Sequence, residues 1–218
     1  MKTYWRPKMI PIMMQSGLLT ALLLALSILL PGCAMHQPAD RIDYYTLEYE
    51  AAPAPAVAVP LPVVLRIERF SAAPEYRTDR MVYREADFKR SEDYYHRWRN
   101  SPADLGTYFL ARDLSRRGSL QGVVAPGSAS AVTHVLEGEV EEFIEWDGAS
   151  GCEARLAIQI TLLAAREPDP ARRVLLQKRF EAAEKCDRRE PAAVARAMST
   201  AMGRLSAAVE QAVVAALQ

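Results

Sequence analysis

The sequence predicts a two-layer α/β sandwich: a mainly antiparallel sheet with two helices packed on one face. Three observations point to it. Residues 132–146 alternate apolar and acidic side chains, the period of a strand with one buried and one wet face. Two stretches, one after Ser101 and one from Pro191 onward, carry apolar stripes at helical spacing. The order of elements, four strands, a helix, three strands and a helix, suits helices that return to one side of a sheet. With 218 residues, half of them apolar, the chain can bury one core.

The chain opens with a leader. Residues 1–17 contain Lys2, Arg6 and Lys8 and no acid, and Leu18–Leu30 is apolar apart from Thr20 and Ser27. That is the layout of a secretory signal. A membrane span needs about 20 apolar residues, and this run stops short at Pro31 and Gly32. Leu30-Pro31-Gly32-Cys33 resembles the lipobox of bacterial lipoprotein signals, with Pro31 in place of the more usual Ala or Ser. The resemblance implies cleavage before Cys33, a diacylglycerol on its thiol and an acyl chain on its amine. One acyl chain anchors only marginally, at about 0.8 kcal/mol per buried methylene, whereas three hold firmly. Ala34, rather than Asp, follows the cysteine, which for such lipoproteins implies the periplasmic face of the outer membrane. The expected organisation is a signal peptide over 1–32, a lipidated tether over 33–41 and one domain over 42–218.

In the mature part, 42–49 reads as a first strand with Tyr45, Leu47 and Tyr49 on one side. Four prolines between Ala51 and Pro62 favour an extended connection. Strands follow at 63–70, 81–84 and 87–98. Ser101-Pro102-Ala103-Asp104 then starts a helix, with Ser101 as cap, Pro102 in the first turn and Asp104 closing a capping box. It runs to Arg117, buries Leu105, Phe109, Leu110 and Leu114, and ends at Gly118. In 132–146 the expected core face is Val132, Leu136, Val140, Ile144 and Trp146, with Glu137, Glu139, Glu141 and Glu145 opposite. Residues 153–165 and 173–184 form a hairpin around Glu167–Pro170, with Arg155 and Arg179 placed to meet the glutamates. The last helix carries Val194, Met198, Ala201, Met202, Leu205, Val209, Ala212, Val213 and Leu217 on one stripe. Such a stripe packs on a sheet or docks a second subunit, so a homo-oligomer belongs among the expected partners.

Cys152 and Cys186 have their midpoint at residue 169, the hairpin turn, so a symmetric register sets them face to face. A disulfide is expected in an oxidising compartment, two free thiols being the alternative. A metal site is not expected, since no C-x-x-C pair or neighbouring histidine completes one.

Catalytic equipment is sparse. The three histidines are His36 in the tether and His96 and His134 in strands, and 148–151 lacks the G-x-S-x-G spacing of a nucleophile elbow. The glutamate row could suggest paired carboxylates for glycoside cleavage, but alternating acids on one strand face usually form a solvated surface. No catalytic residue and no cofactor beyond the acyl groups on Cys33 are expected. Three of the 27 basic residues lie in the leader, leaving 24 against 27 acids, so nucleic acid is not an expected partner. The remaining patch is Tyr94, Tyr95, His96, Arg97, Trp98 and Arg99, where aromatic and basic side chains interleave as they do at protein interfaces.

Several segments in order resemble the ABC-type transport auxiliary lipoproteins, the family that contains the PqiC lipoproteins. They are Tyr44-Tyr45-Thr46-Leu47, Met81-Val82-Tyr83-Arg84, Tyr94-Tyr95, Trp98 before the helix at Ser101, Leu136-Glu137-Gly138-Glu139-Val140 with Phe143, and the alanine-rich last helix. The resemblance implies a non-enzymatic lipoprotein working beside an ABC ATPase, a permease and an MCE-domain protein that carries lipid between membranes. Tyr94, Tyr95, Arg97 and Trp98 are then candidates for contact with the MCE-type partner. The proline-rich insert and the arginine-rich 66–99 stretch are particular to this sequence. A lipoprotein that binds lipid or cell wall without a transporter is the alternative.

Overall fold

The computed structural model describes residues 41–51, 59–148 and 151–218. In chain order they form β1 (Asp43–Tyr45), β2 (Leu61–Ile67), β3 (Ser71–Ala72), β4 (Arg80–Ala86), β5 (Lys89–Trp98), α1 (Pro102–Arg117), β6 (Leu120–Val124), β7 (His134–Gly148), β8 (Gly151–Ala164), the one-turn α2 (Pro170–Arg173), β9 (Val174–Lys185) and α3 (Pro191–Ala216). The leader, Cys33 and the tether to Asp40 lie outside the described residues, as do residues 52–58 and 149–150. Among the described residues no helix is long and apolar enough to cross a membrane.

The sheet is built around β7. One of its edges pairs with β8 along nearly its whole length, and β8 pairs with β9, both antiparallel. Its other edge is shared in turn by β2 at 134–136, β3 at 139–140 and β4 at 145–146, all parallel to it. Beyond β4 lie β5 and then β1, and beyond β2 lies β6. The long ladders are therefore antiparallel, while the shorter pairings with β2, β3 and β4, and those of β1 with β5 and β2 with β6, are parallel.

Both long helices pack on one face of this sheet, as expected for a two-layer sandwich. Helix α1 starts where the sequence places it: Ser101 Oγ accepts from the Asp104 N–H at 3.2 Å and donates to the Asp104 carboxylate at 2.8 Å. It stops at Gly118, whose φ of 66° is open to glycine without the steric cost a Cβ brings. Helix α3 lays Val194, Met198, Met202, Leu205, Val209 and Val213 against β8, β9 and α1, so its apolar stripe is consumed by the core. Arg117 at the end of α1 lies 2.7 Å from the buried Glu210 of α3, which also accepts from Ser119 Oγ at 2.8 Å.

Two expectations change. The strand read over 42–49 is shorter, and β3 and β6 are additional. In β7 a bulge falls between Val140, opposite Ile158, and Glu142, opposite Ala157. The extra residue reverses the alternation beyond it. Phe143 therefore takes the helix-facing side opposite Leu156, while Ile144 and Trp146 turn to the other face and Glu145 turns away from the glutamate row. Trp146 lies under the guanidinium groups of Arg155 (4.0 Å), Arg84 (4.5 Å) and Arg90 (5.0 Å), which come from three strands.

The Leu136–Val140 segment has a packing reason for its glycine. The buried Phe70 ring fills the space where a Gly138 Cβ would stand, 2.6 Å from ring atoms, and lies 3.5 Å from where a Cβ on Gly106 of α1 would stand. The Phe70 N–H donates to Thr107 Oγ1 at 2.9 Å, which fixes the ring's root. Replacing Gly138 by Ala forces the ring out of a filled core and is expected to cost about 1–3 kcal/mol. Urea unfolding of G138A measures this, and an unchanged midpoint would contradict the wedge.

Candidate functional site

Strand β5 carries the most irregular backbone near the exposed aromatics. Between the Val82–Glu92 and Arg80–Arg97 pairs, β4 advances two residues and β5 five. The surplus folds around the Asp93 carboxylate. Its Oδ1 accepts from the N–H groups of Tyr95 at 2.8 Å and His96 at 3.0 Å, and its Oδ2 lies 2.8 Å from His96 Nδ1. Burial pushes the Asp93 carboxyl up, but the hydrogen bonds from the His96 ring and from the two backbone N–H groups outweigh it and hold it below the usual range. A bulge re-aims side chains that a regular strand would send to alternate faces. Here Tyr94 and Tyr95, 54% and 43% exposed, meet edge to face with ring centroids 5.0 Å apart. Arg80 lies 5.7 Å from the Tyr94 ring centre.

The other members of the sequence-predicted patch fall elsewhere. Arg97 is largely covered and pairs with Asp79 at 3.5 Å. Trp98 is a core residue, 2% exposed, packed edge to face on Phe143 at 5.0 Å. It leaves the interface set: after the bulge, β5 rejoins regular pairing with β1 and turns its last side chain inward, where an indole buries far more apolar surface than it would at a rim. Tyr44, on the neighbouring β1, is 51% exposed and was not singled out as a site residue. The Trp146 cluster also escaped the sequence reading, because its three arginines are distant along the chain.

The acidic row separates into two environments. Glu137 and Glu139 stay on the open face, in a shallow groove with Glu68, Arg69, Gln159 and Thr161. Glu141 pairs with Arg179 at 2.8 Å, and Arg179 also pairs with Glu181. Arg155 pairs within its own strand, with Glu153 at 3.0 Å. Glu145, on the helix side of the bulge, lies with Asp147 and Cys152 so that one ligand atom of each falls within 4.8 Å of the others. The Cys152 sulfur is in a disulfide with Cys186, so it has no thiolate to offer a metal. Burial, then the charge of Asp147, pushes the Glu145 carboxyl up, with Arg189 acting against them. His134 sits half-buried beside Thr133 Oγ1 at 2.9 Å, and burial lowers its pKa.

The family of ABC-type transport auxiliary lipoprotein components has a model that matches residues 45–210. The chain belongs to this family. The match runs from the end of β1 into α3 and includes the β5 bulge, the Gly138 segment and the β8–β9 hairpin. Among solved structures, a protein from Xanthomonas campestris is 18% identical with a TM-score of 0.70, over 80% of this chain and 95% of that one. A protein described as uncharacterised is 12% identical with a TM-score of 0.62, over 79% and 99%. A hypothetical protein from Chlamydia trachomatis is 9% identical with a TM-score of 0.52, over 72% and 98%. These likenesses establish a shared fold. No curated protein matches the chain.

In this auxiliary lipoprotein the open end of the β8–β9 hairpin is closed covalently. The ladder keeps the register centred on residue 169 from Glu153–Lys185 to Leu162–Leu176, which sets the Cys152 and Cys186 Cα atoms 5.2 Å apart. The Cys186 N–H donates to the Cys152 carbonyl at 2.9 Å. The bridge encloses a sequence separation of 34 residues, and for such a loop the chain-entropy model gives about 3–4 kcal/mol. The C152S/C186S variant is expected to lose stability of that order in denaturant titration. Equal stability of reduced and oxidised wild-type protein would contradict it.

Proposed function

We propose that this chain is a lipid-anchored periplasmic adaptor at the outer membrane, serving an MCE/ABC-type lipid transport system without enzymatic activity. Acyl chains on Cys33 hold it to the bilayer. Its domain docks on the MCE-domain protein, which works with the ABC permease and ATPase. Membership of the auxiliary lipoprotein family supports the transport setting. The lipobox-like Leu30–Cys33 and Ala34 support the address.

The observation that carries the docking reading is the Tyr94–Tyr95 pair. A half-buried carboxylate, two backbone N–H groups and a histidine ring are committed to a bulge whose outcome is two adjacent rings turned to solvent. Tyrosine is a strong interface residue because a rigid ring supplies contact area at small entropic cost and its hydroxyl tolerates water. Arg97 at the bulge's margin is engaged by Asp79 and steadies the strand. The groove beside the glutamate row is shallow and polar, which suits a solvated face better than a lipid tunnel.

The test is copurification from cells that express the full lipoprotein with an affinity-tagged MCE-domain protein from the same transporter. The Y94A/Y95A variant is expected to reduce recovery about tenfold or more, the scale of a hot-spot pair, while its melting temperature stays within a few degrees of wild type. Undiminished recovery of a stably folded variant would sink the docking role.

A further inference from the structure

The apex of the β4–β5 hairpin exposes Phe88 completely, at 105% of its reference surface. Phe88 is also the non-glycine residue at positive φ among the described residues, at 59°. Glycine or asparagine adopts that conformation at little cost, whereas an aromatic L-residue adopts it against its own Cβ. A turn with no task beyond reversing the chain would carry a small or polar residue here. Instead it lifts one ring off the protein.

The ring's surroundings restrict what it meets. Within 84–90 Glu85 pairs with Lys89 and Asp87 with Arg84, and Arg90, which also lies over Trp146, leaves the segment one positive charge in excess. Ala86 is the only other apolar side chain of that segment. A lone apolar apex among paired charges lacks the broad contact area of a protein hot spot. It matches the boundary between lipid headgroups and acyl chains, where a ring enters the apolar layer while the charged pairs beside it stay at headgroup level.

Chain direction and tether length leave such a boundary within reach. β1 runs parallel to β5, with Asp43 opposite His96 and Tyr45 opposite Trp98. Arg41 and Ile42 therefore precede β1 toward the end of the sheet where β5 begins. From Arg97, opposite Arg80, back to Lys89, opposite Ala86, is about 20 Å at the strand rise of β4, whereas the ten residues from Cys33 to Asp43 can span up to about 35 Å. The anchor can therefore reach past the apex.

We infer that the β4–β5 apex is a membrane-contact element, with Phe88 inserting into the bilayer that holds the acylated Cys33. This rests on the anchored reading of Cys33. The contact turns a single-point tether into a two-point stance and so fixes which way the Tyr94–Tyr95 bulge faces.

The test uses full lipoprotein, processed in cells and reconstituted in phosphatidylethanolamine–phosphatidylglycerol vesicles with or without brominated acyl chains. F88W adds a tryptophan at the apex, and Y108W adds one on the exposed side of α1 as a control. Brominated lipid is expected to quench about half or more of the emission added by F88W, as for a ring at the acyl boundary, and little of that added by Y108W. Floating protein whose F88W emission is quenched no more than wild type overturns the inference and leaves the anchor standing. So does quenching equal to that of Y108W, or protection of F88W only when the MCE-type protein is added. Protein that does not float with vesicles overturns the anchor and the inference together.

Discussion

Backbone pairing along β7 is the constraint on which the other layers depend. Its β8 edge is a continuous antiparallel ladder, and its opposite edge is divided among β2, β3 and β4. Each partner leaves β7 where the next arrives, so the N-terminal half of the domain is threaded along one strand. The bulge after Val140 then decides which side chains each layer receives. Before it, Leu136 and Val140 face the helices; beyond it, Phe143 takes over and Ile144 and Trp146 serve the β4–β5 side. One extra residue thus supplies both faces of a sheet that is covered on one side by helices and carries the Trp146–arginine cluster on the other.

The entry of the chain is tied to the same core. After β1, Leu47 is buried, the Glu48 N–H donates to Ser199 Oγ of α3 at 2.9 Å, and the Tyr49 hydroxyl donates to Asp113 of α1 at 2.6 Å. Arg112 lies over the Tyr49 ring at 4.3 Å and binds the Asp113 carboxylate, while a Cβ on Gly203 would stand 3.1 Å from the ring. Burial first, and then the bond to Asp113, raises the Tyr49 pKa far above its ordinary value, so the phenol stays a donor. In a lipid-anchored protein any tension on the tether arrives at this segment. It meets backbone pairing with β5 on one side and a clasp across two helices on the other.

Much of this was legible because it is local. The α1 boundaries follow from Ser101, Pro102, Asp104 and Gly118, and the β8–β9 register follows from the symmetry of two apolar runs about residue 169. The features that were not legible depend on backbone irregularities or distant partners. At Glu141–Ile144 the run of acids and apolar residues satisfies either phase of alternation, so nothing in it reveals the bulge. At Asp93–His96 an aspartate satisfies backbone donors that a regular strand would send to its neighbour, and alternation no longer says which ring is outside. Trp98 therefore read as part of an interface although it belongs to the core. β3 pairs through only two residues, too few to leave a periodic trace, and the parallel partners of β7 are brought to it by long connections that carry no register signal.

The account depends on this family member being held to a bilayer through Cys33, the residue that follows the proposed leader, since the clasp at Tyr49 and the placing of the β5 bulge acquire their meaning from that point of attachment. The most direct measurement is the intact mass, with N-terminal peptide sequencing, of protein extracted from the membranes of cells that express the full sequence. The expected polypeptide starts at Cys33, lacks residues 1–32 and carries the added mass of a diacylglyceryl group and an N-linked acyl chain. A retained leader, or a chain with unmodified Cys33 recovered from the aqueous fraction, would contradict it.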